Sequence, residues 1–191
     1  MLALSLVFLL VNGLTLTSYP SVWVDEVQFA DPAVSLVRGE GFTSTAWFAQ
    51  DSQAFWAGNV PLYTILLSCW FWLLGVSPAV GRSFNLVLFL AFLWVAWTFL
   101  KRSALVSSEN WRLGFIALLI CAHGLVFSYR AGRYDSLGML WFALSALVWT
   151  IAPGVRRTAA LILLGALMPW TGLQLLPAAG LLGALLLLFL R

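Results

Sequence analysis

The sequence predicts an all-α integral membrane protein with about six transmembrane helices and one large polar outer loop. Three observations carry that expectation. Of 191 residues, 62% are hydrophobic and only 9% are charged, which is more apolar surface than a soluble domain of this size can hide from water. The apolar residues collect in long runs separated by short polar turns. Five of the seven acidic residues fall within residues 18–59, where no long apolar run occurs. The net charge of +3 is spread thinly, with no basic stripe, so the charges read as topology signals and exclude a nucleic-acid footprint.

Taken in order, residues 2–17 form an apolar run that lacks both a preceding basic residue and a small-residue cleavage pattern, and read as a retained first helix. Residues 18–59 follow as an outer loop. Within it, Asp31 and Pro32 read as an N-cap and first helical residue, with Gly39 as the stop, predicting a short helix over 32–38. Further apolar runs cover 61–74, 84–100, 113–128, 137–151 and 158–190. The 61–74 run is shorter than the roughly 20 residues that cross a hydrocarbon core. If it spans, Lys101, Arg102, Arg156 and Arg157 lie outside, against the bias of basic residues toward the cytoplasm. If it is embedded without crossing, bounded by Pro61 and Gly75, those four and Arg112 all become cytoplasmic. The second arrangement is preferred. The 158–190 run is interrupted by Pro169 and Pro177, and the segment from Pro169 to Gly172 reads as a turn between two helices. The whole is a single membrane domain, 1–191, whose outer region 18–82 includes the embedded helix 61–74.

Cys69 and Cys121 lie in apolar runs without a CxxC pattern and read as buried small hydrophobes. His123, alone in a span, reads as a hydrogen-bonded core residue. Trp23, Trp47, Trp56 and Trp111 sit near run boundaries, where an indole anchors at a membrane interface. Two polar clusters stand out. Asp25 and Glu26 follow the first helix directly, and solvated loop carboxylates are their plainest reading. The turn from Tyr129 to Ser136 carries Arg130, Arg133 and Asp135 on the same predicted side, with Arg82 at the head of the 84–100 run. Arg133 and Asp135 either pair with each other or bind phosphate, and ionisable groups at membrane depth point to function.

In order and spacing these pieces resemble the C-type glycosyltransferase (GT-C) membrane fold, in particular the polyprenyl-phosphate-sugar-dependent transferases that include the protein O-mannosyltransferases and the aminoarabinose transferases. The resemblance rests on Asp25, Glu26, Phe29 and Ala30 after the first helix, with Leu36 and Gly39 downstream. Pro61, Leu62 and Tyr63 enter the embedded helix; Gly75, Ser77 and Arg82 follow, and Arg133 and Asp135 close the pattern. It covers the N-terminal part of that fold, so the chain is expected to be a module, a half or a fragment of a longer one. Three positions depart from the pattern: Val60 in place of a second proline, Tyr134 in place of a proline, and Trp170 in place of a lysine associated with donor phosphate.

The resemblance implies transfer of a sugar from a polyprenyl-phosphate donor to an acceptor hydroxyl on the outer face of a bacterial inner or plasma membrane. Asp25 is then the base, with Asp135 as the second catalytic carboxylate. Arg82, Arg130 and Arg133 form the donor-phosphate clamp, since a guanidinium binds phosphate bidentately and stays charged. Glu26 and Tyr63 support the site, and Glu26 with Asp135 would suit a divalent cation such as Mg or Mn. The expected partners are the lipid-linked donor, membrane lipids, and either other membrane subunits or a missing C-terminal half, with no nucleic acid. The competing expectation is a non-catalytic structural subunit of a larger membrane complex on the same scaffold. A transporter or channel fragment fits less well, because ionisable residues are nearly absent from the middles of the runs.

Overall fold

A computed structural model describes residues 1–48 and 50–189. Among them all regular elements are helical, as the long apolar runs predict. The first four helices are α1 (Leu2–Leu14), α2 (Val24–Arg38), α3 (Leu62–Leu74) and α4 (Pro78–Arg102). Then come α5 (Glu109–Cys121), α6 (His123–Arg130), α7 (Asp135–Trp149), α8 (Val155–Thr171) and α9 (Leu176–Phe189).

Helix α4 is the spine. Ser77 caps it, its hydroxyl accepting from the Val80 N–H at 3.2 Å, and Pro78 fits the first turn, where an N–H would go unused. Its 25 residues extend about 38 Å at 1.5 Å per residue, enough to cross a hydrocarbon core about 30 Å thick. It is the one unbroken helix among the described residues long and apolar enough to cross a membrane. The predicted 113–128 span is instead a pair, α5 and α6, bent by 62°. At the bend Ala122 is extended (φ −65°, ψ 118°), and the Tyr129 hydroxyl donates to the Ile120 carbonyl at 3.1 Å. A side chain thus serves the carbonyl that a continuous helix would give to the next turn. Taken together the pair is also long and apolar enough, so by length and composition one or two elements among the described residues could cross, where the sequence predicts about six. Helices α1, α3 and α7, of 13, 13 and 15 residues, reach only about 20–23 Å by the same rise.

The outer loop departs most from expectation. Instead of a helix over 32–38, α2 runs from Val24 with Asp25 and Glu26 in its first turn and Pro32 inside it. Two carboxylates suit the positive end of the helix dipole, which offsets the hydrogen bond that Pro32 removes. Gly39 stops the helix as predicted. At φ 78° it lets its own N–H reach the Leu36 carbonyl and the Glu40 N–H reach the Ser35 carbonyl. Asp31 caps no helix. Its carboxylate instead accepts from the Ser44 hydroxyl at 2.8 Å and the Thr45 and Ala46 N–H groups at 2.6 and 3.0 Å, tying the following loop to α2. Burial alone would raise its pKa, but these hydrogen bonds to the charged form hold it below the usual carboxylate value.

Several smaller expectations are corrected. Cys69 and Cys121 are free and exposed. Exposed too is His123, at the first residue of α6, where the bend carries it out of the core. Trp56 is a core residue at 1% exposure, in edge-to-face contact with Phe29 and Phe42. The turn after α8 falls at Gly172, beyond Pro169, which sits in the helix's last turn. From there α9 folds back, packing Leu182 and Leu186 against Leu161 and Met168.

Helix α4 packs most extensively against α7. The C-terminal end of α1, the start of α4, the turn before α7 and the end of α8 meet at one end of the bundle. There Arg82 donates to the Leu16 carbonyl, Asn85 to the Ala131 carbonyl, and Gly172 lies against Tyr134. An aromatic core underlies this end: Phe29 touches Tyr63 and Tyr134 edge-on, with ring centroids 5.7 and 5.3 Å apart.

Candidate functional site

Adjacent residues on a helix point about 100° apart, so the acidic pair opening α2 divides. Glu26 turns inward to Arg82, which donates from Nε to Oε1 at 2.7 Å and from Nη2 to Oε2 at 2.9 Å. Its Nη1 donates to the Leu16 carbonyl at 2.8 Å. Arg82 is 1% and Glu26 7% exposed. A bidentate pair this deep satisfies both charges, and removing either partner would strand the other at a cost of about 3–5 kcal/mol. The arginine that the resemblance places on donor phosphate is therefore committed to joining α4, α2 and the end of α1.

Arg130 is committed in the same way. Its Nε donates to the Tyr19 carbonyl at 2.9 Å, its Nη1 to Asn12 Oδ1 at 2.6 Å, and its Nη2 to the Thr15 and Tyr19 carbonyls, both at 2.6 Å. Thr15 and Tyr19 belong to the turn that follows α1, and a cation beside the C-terminal end of that helix complements its dipole.

Asp25 faces the other way. Its Oδ2 lies 3.1 Å from Arg133 Nη1, while Arg133 Nε lies 3.1 Å from Asp135 Oδ2. The second contact is close in distance but not aligned as a hydrogen bond, so Asp135 acts on Arg133 as an ion-pair partner. The side chains of Asp25, Arg133 and Asp135 are 33%, 25% and 30% exposed. Burial raises the Asp135 pKa above the usual carboxylate value; Arg133 pulls it back, and the Asp25 charge pushes it up again. Asp25 and Arg133 line a cleft of about 180 Å³, walled by Gln28, Trp47, Tyr134 and Gln174 among others. Gln28 is one turn along from Asp25, on the same face of α2.

On the opposite side of α2, Val27, Val34, Leu67, Phe71 and Pro78 line an apolar groove of about 320 Å³ that reaches Glu26 and Gly132. Tyr63 does not line the cleft. It is fully buried, and its hydroxyl donates to Asn85 Oδ1 at 3.1 Å.

Of the predicted site residues, the structure thus gathers Asp25, Arg133 and Asp135, and gives Glu26, Arg82, Arg130 and Tyr63 to the framework. The cation expected at Glu26 and Asp135 does not fit. Both Glu26 oxygens are taken by Arg82, and no group of three metal-ligating residues occurs among the described residues. Sequence reasoning missed Asn85, Asn12, Gln28 and Gln174. For Asn85 a signal existed: an amide inside an apolar run, three residues after Arg82 and so on its helix face. Compared with known proteins, the chain matches no protein-family model, no curated protein and no solved structure.

Proposed function

We propose that this chain is a module of a multi-pass membrane glycosyltransferase, with its acidic loop on the outer side, that passes a sugar from a polyprenyl-phosphate donor to an acceptor hydroxyl. The observation that carries the reading is the placement of a carboxylate, Asp25, and a guanidinium, Arg133, 3.1 Å apart on one cleft. The acceptor oxygen attacks the anomeric carbon, the bond from that carbon to the phosphate oxygen breaks, and the acceptor proton passes to Asp25. The leaving phosphate is already an anion, so it needs fixed positive charge more than an acid. Arg133 supplies that charge. A guanidinium has five N–H donors, and the two carboxylates approach it only at Nη1 and Nε. Asp135, behind Arg133, holds it in place. The apolar groove on the far face of α2 suits the polyprenyl tail.

The reading is tested by incubating the purified chain in lipid nanodiscs with a synthetic polyprenyl-phosphate sugar and an alcohol acceptor. Sugar transfer is expected, and Arg133→Ala should weaken donor binding and turnover together, because it removes a phosphate contact present before and during bond breaking. Transfer unaffected by Arg133→Ala would sink the reading. The commitment of Glu26, Arg82 and Arg130 to the framework supports a second one, a structural subunit of a larger membrane complex. A stoichiometric complex with unrelated membrane proteins in mild detergent, without transfer activity, would favour it.

A further inference from the structure

Buried polar groups in an apolar helix are costly unless every hydrogen bond is made, and Asn85 makes all of its own. It is 0% exposed. Its amide nitrogen donates to two carbonyls of the turn that carries the site, those of Ala131 and, at 2.8 Å, Arg133. Its amide oxygen accepts from the Tyr63 hydroxyl at 3.1 Å, which anchors it to α3. The turn is tight: the Arg133 N–H also reaches back to the Ala131 carbonyl at 2.8 Å. Three residues earlier on the same face of α4, Arg82 holds Glu26, the neighbour of Asp25. One helical turn of α4 thus holds the Glu26 side chain on one side of the Asp25–Arg133 pair and the backbone of the turn on the other.

We infer that Asn85 is a positioning residue: by holding the Ala131 and Arg133 carbonyls it aims the Arg133 guanidinium between Asp25 and Asp135. The role in turnover rests on the transfer reaction proposed above; the clamp itself rests on the geometry alone. No other side chain donates to either carbonyl among the described residues. With the clamp removed, Arg130 and Tyr134 still hold the two ends of the turn, but the Ala131 and Arg133 carbonyls lose their side-chain donor and Arg133 loses its fixed approach to Asp135.

The test reads Asp135 directly. Its carboxyl is titrated by infrared difference spectroscopy on the full chain in nanodiscs, with the band assigned by Asp135→Asn. Four proteins are compared: the wild type, Asn85→Ala, Arg133→Ala and the double variant. Turnover is followed in parallel. Losing a facing cation raises a carboxyl midpoint, so Asn85→Ala should move the Asp135 midpoint upward, as Arg133→Ala does. The double variant should sit no higher than Arg133→Ala alone, because Asn85 acts through Arg133. Its turnover should likewise fall no further than that of Arg133→Ala. Asn85→Leu keeps a similar volume and adds no charge but has no donor for the two carbonyls; it should reproduce the upward shift if Asn85→Ala does not fold. An unshifted Asp135 midpoint in either folded variant, or shifts that add in the double variant, would overturn the inference. If the midpoints follow the expected pattern while the wild type transfers no sugar, the clamp stands and the reaction assignment fails.

Discussion

Arg82 and Arg130 show what decides a charged residue's work in this chain. Both were legible in the sequence as conspicuous cations, but their partners were not, because those partners are backbone carbonyls at the end of α1 and, for Arg82, a carboxylate 56 residues away. Arg133 differs in that it lines a cleft together with one of its partners, Asp25. Asp31 makes the same point for an anion. The sequence predicts a carboxylate bound to backbone N–H groups at a helix start; the structure uses that chemistry on Thr45 and Ala46 of the neighbouring loop instead. Because its folded pKa is lowered, Asp31 contributes stability that is fully present above the ordinary carboxylate value of about 4. That share is lost as pH falls through the lowered folded value. Melting curves between about pH 6 and pH 2 should therefore show less acid destabilisation in Asp31→Asn than in the wild type, from a lower starting stability at neutral pH. Identical acid profiles would show that the Asp31 contacts carry no weight.

Among elements, some boundaries are set by local chemistry. The stop of α2 at Gly39 follows from its own backbone freedom, whereas α4 starts at Pro78, ahead of the expected 84–100 run, because Ser77 and Pro78 cap it. The bend at Ala122 and the early start of α2 are not set locally, because the first depends on the Tyr129 hydroxyl and the second on burying Glu26 against Arg82. Gly172 is a case where packing fixes the residue. A Cβ there would lie 2.6 Å from Tyr134 Cε2, and Tyr134 walls the candidate cleft. Gly172→Ala should cost about 1–3 kcal/mol, the usual penalty for overpacking, and reduce donor binding by displacing Tyr134. Gly180, inside α9 with open space around its Cβ position, is the control. Gly180→Ala should be neutral or stabilising by up to about 1 kcal/mol through helix propensity. Chemical denaturation of the two variants in detergent checks both, and equal effects would contradict the packing argument.

Across the whole molecule, the polar chemistry sits at one end of the bundle and the basic pairs at the other. Helix α4 begins beside the site and ends at Lys101 and Arg102; α8 begins at Arg156 and Arg157 and ends beside Tyr134. The proposed orientation puts the basic end in the cytoplasm. Single cysteines placed at 103, 154 and at the exposed outer-loop position 52, after replacement of the exposed Cys69 and Cys121, should react with an impermeant external reagent only at 52. External labelling at 103 or 154 with none at 52 would invert the topology. The all-helical class was legible because composition alone demands it, whereas helix lengths were not, since bends and breaks arise from contacts between distant residues. At this scale the central claim is that the Asp25–Arg133 cleft carries out proton transfer and phosphate release. The most direct test compares donor binding and turnover in Asp25→Asn and Asp135→Asn, using the polyprenyl-phosphate sugar. Asp25→Asn keeps size and hydrogen bonding but loses the proton acceptor, so turnover should drop by roughly 10²–10⁴-fold while donor binding survives. Wild-type turnover in Asp25→Asn, with activity abolished in Asp135→Asn, would contradict the account and make Asp135 the base.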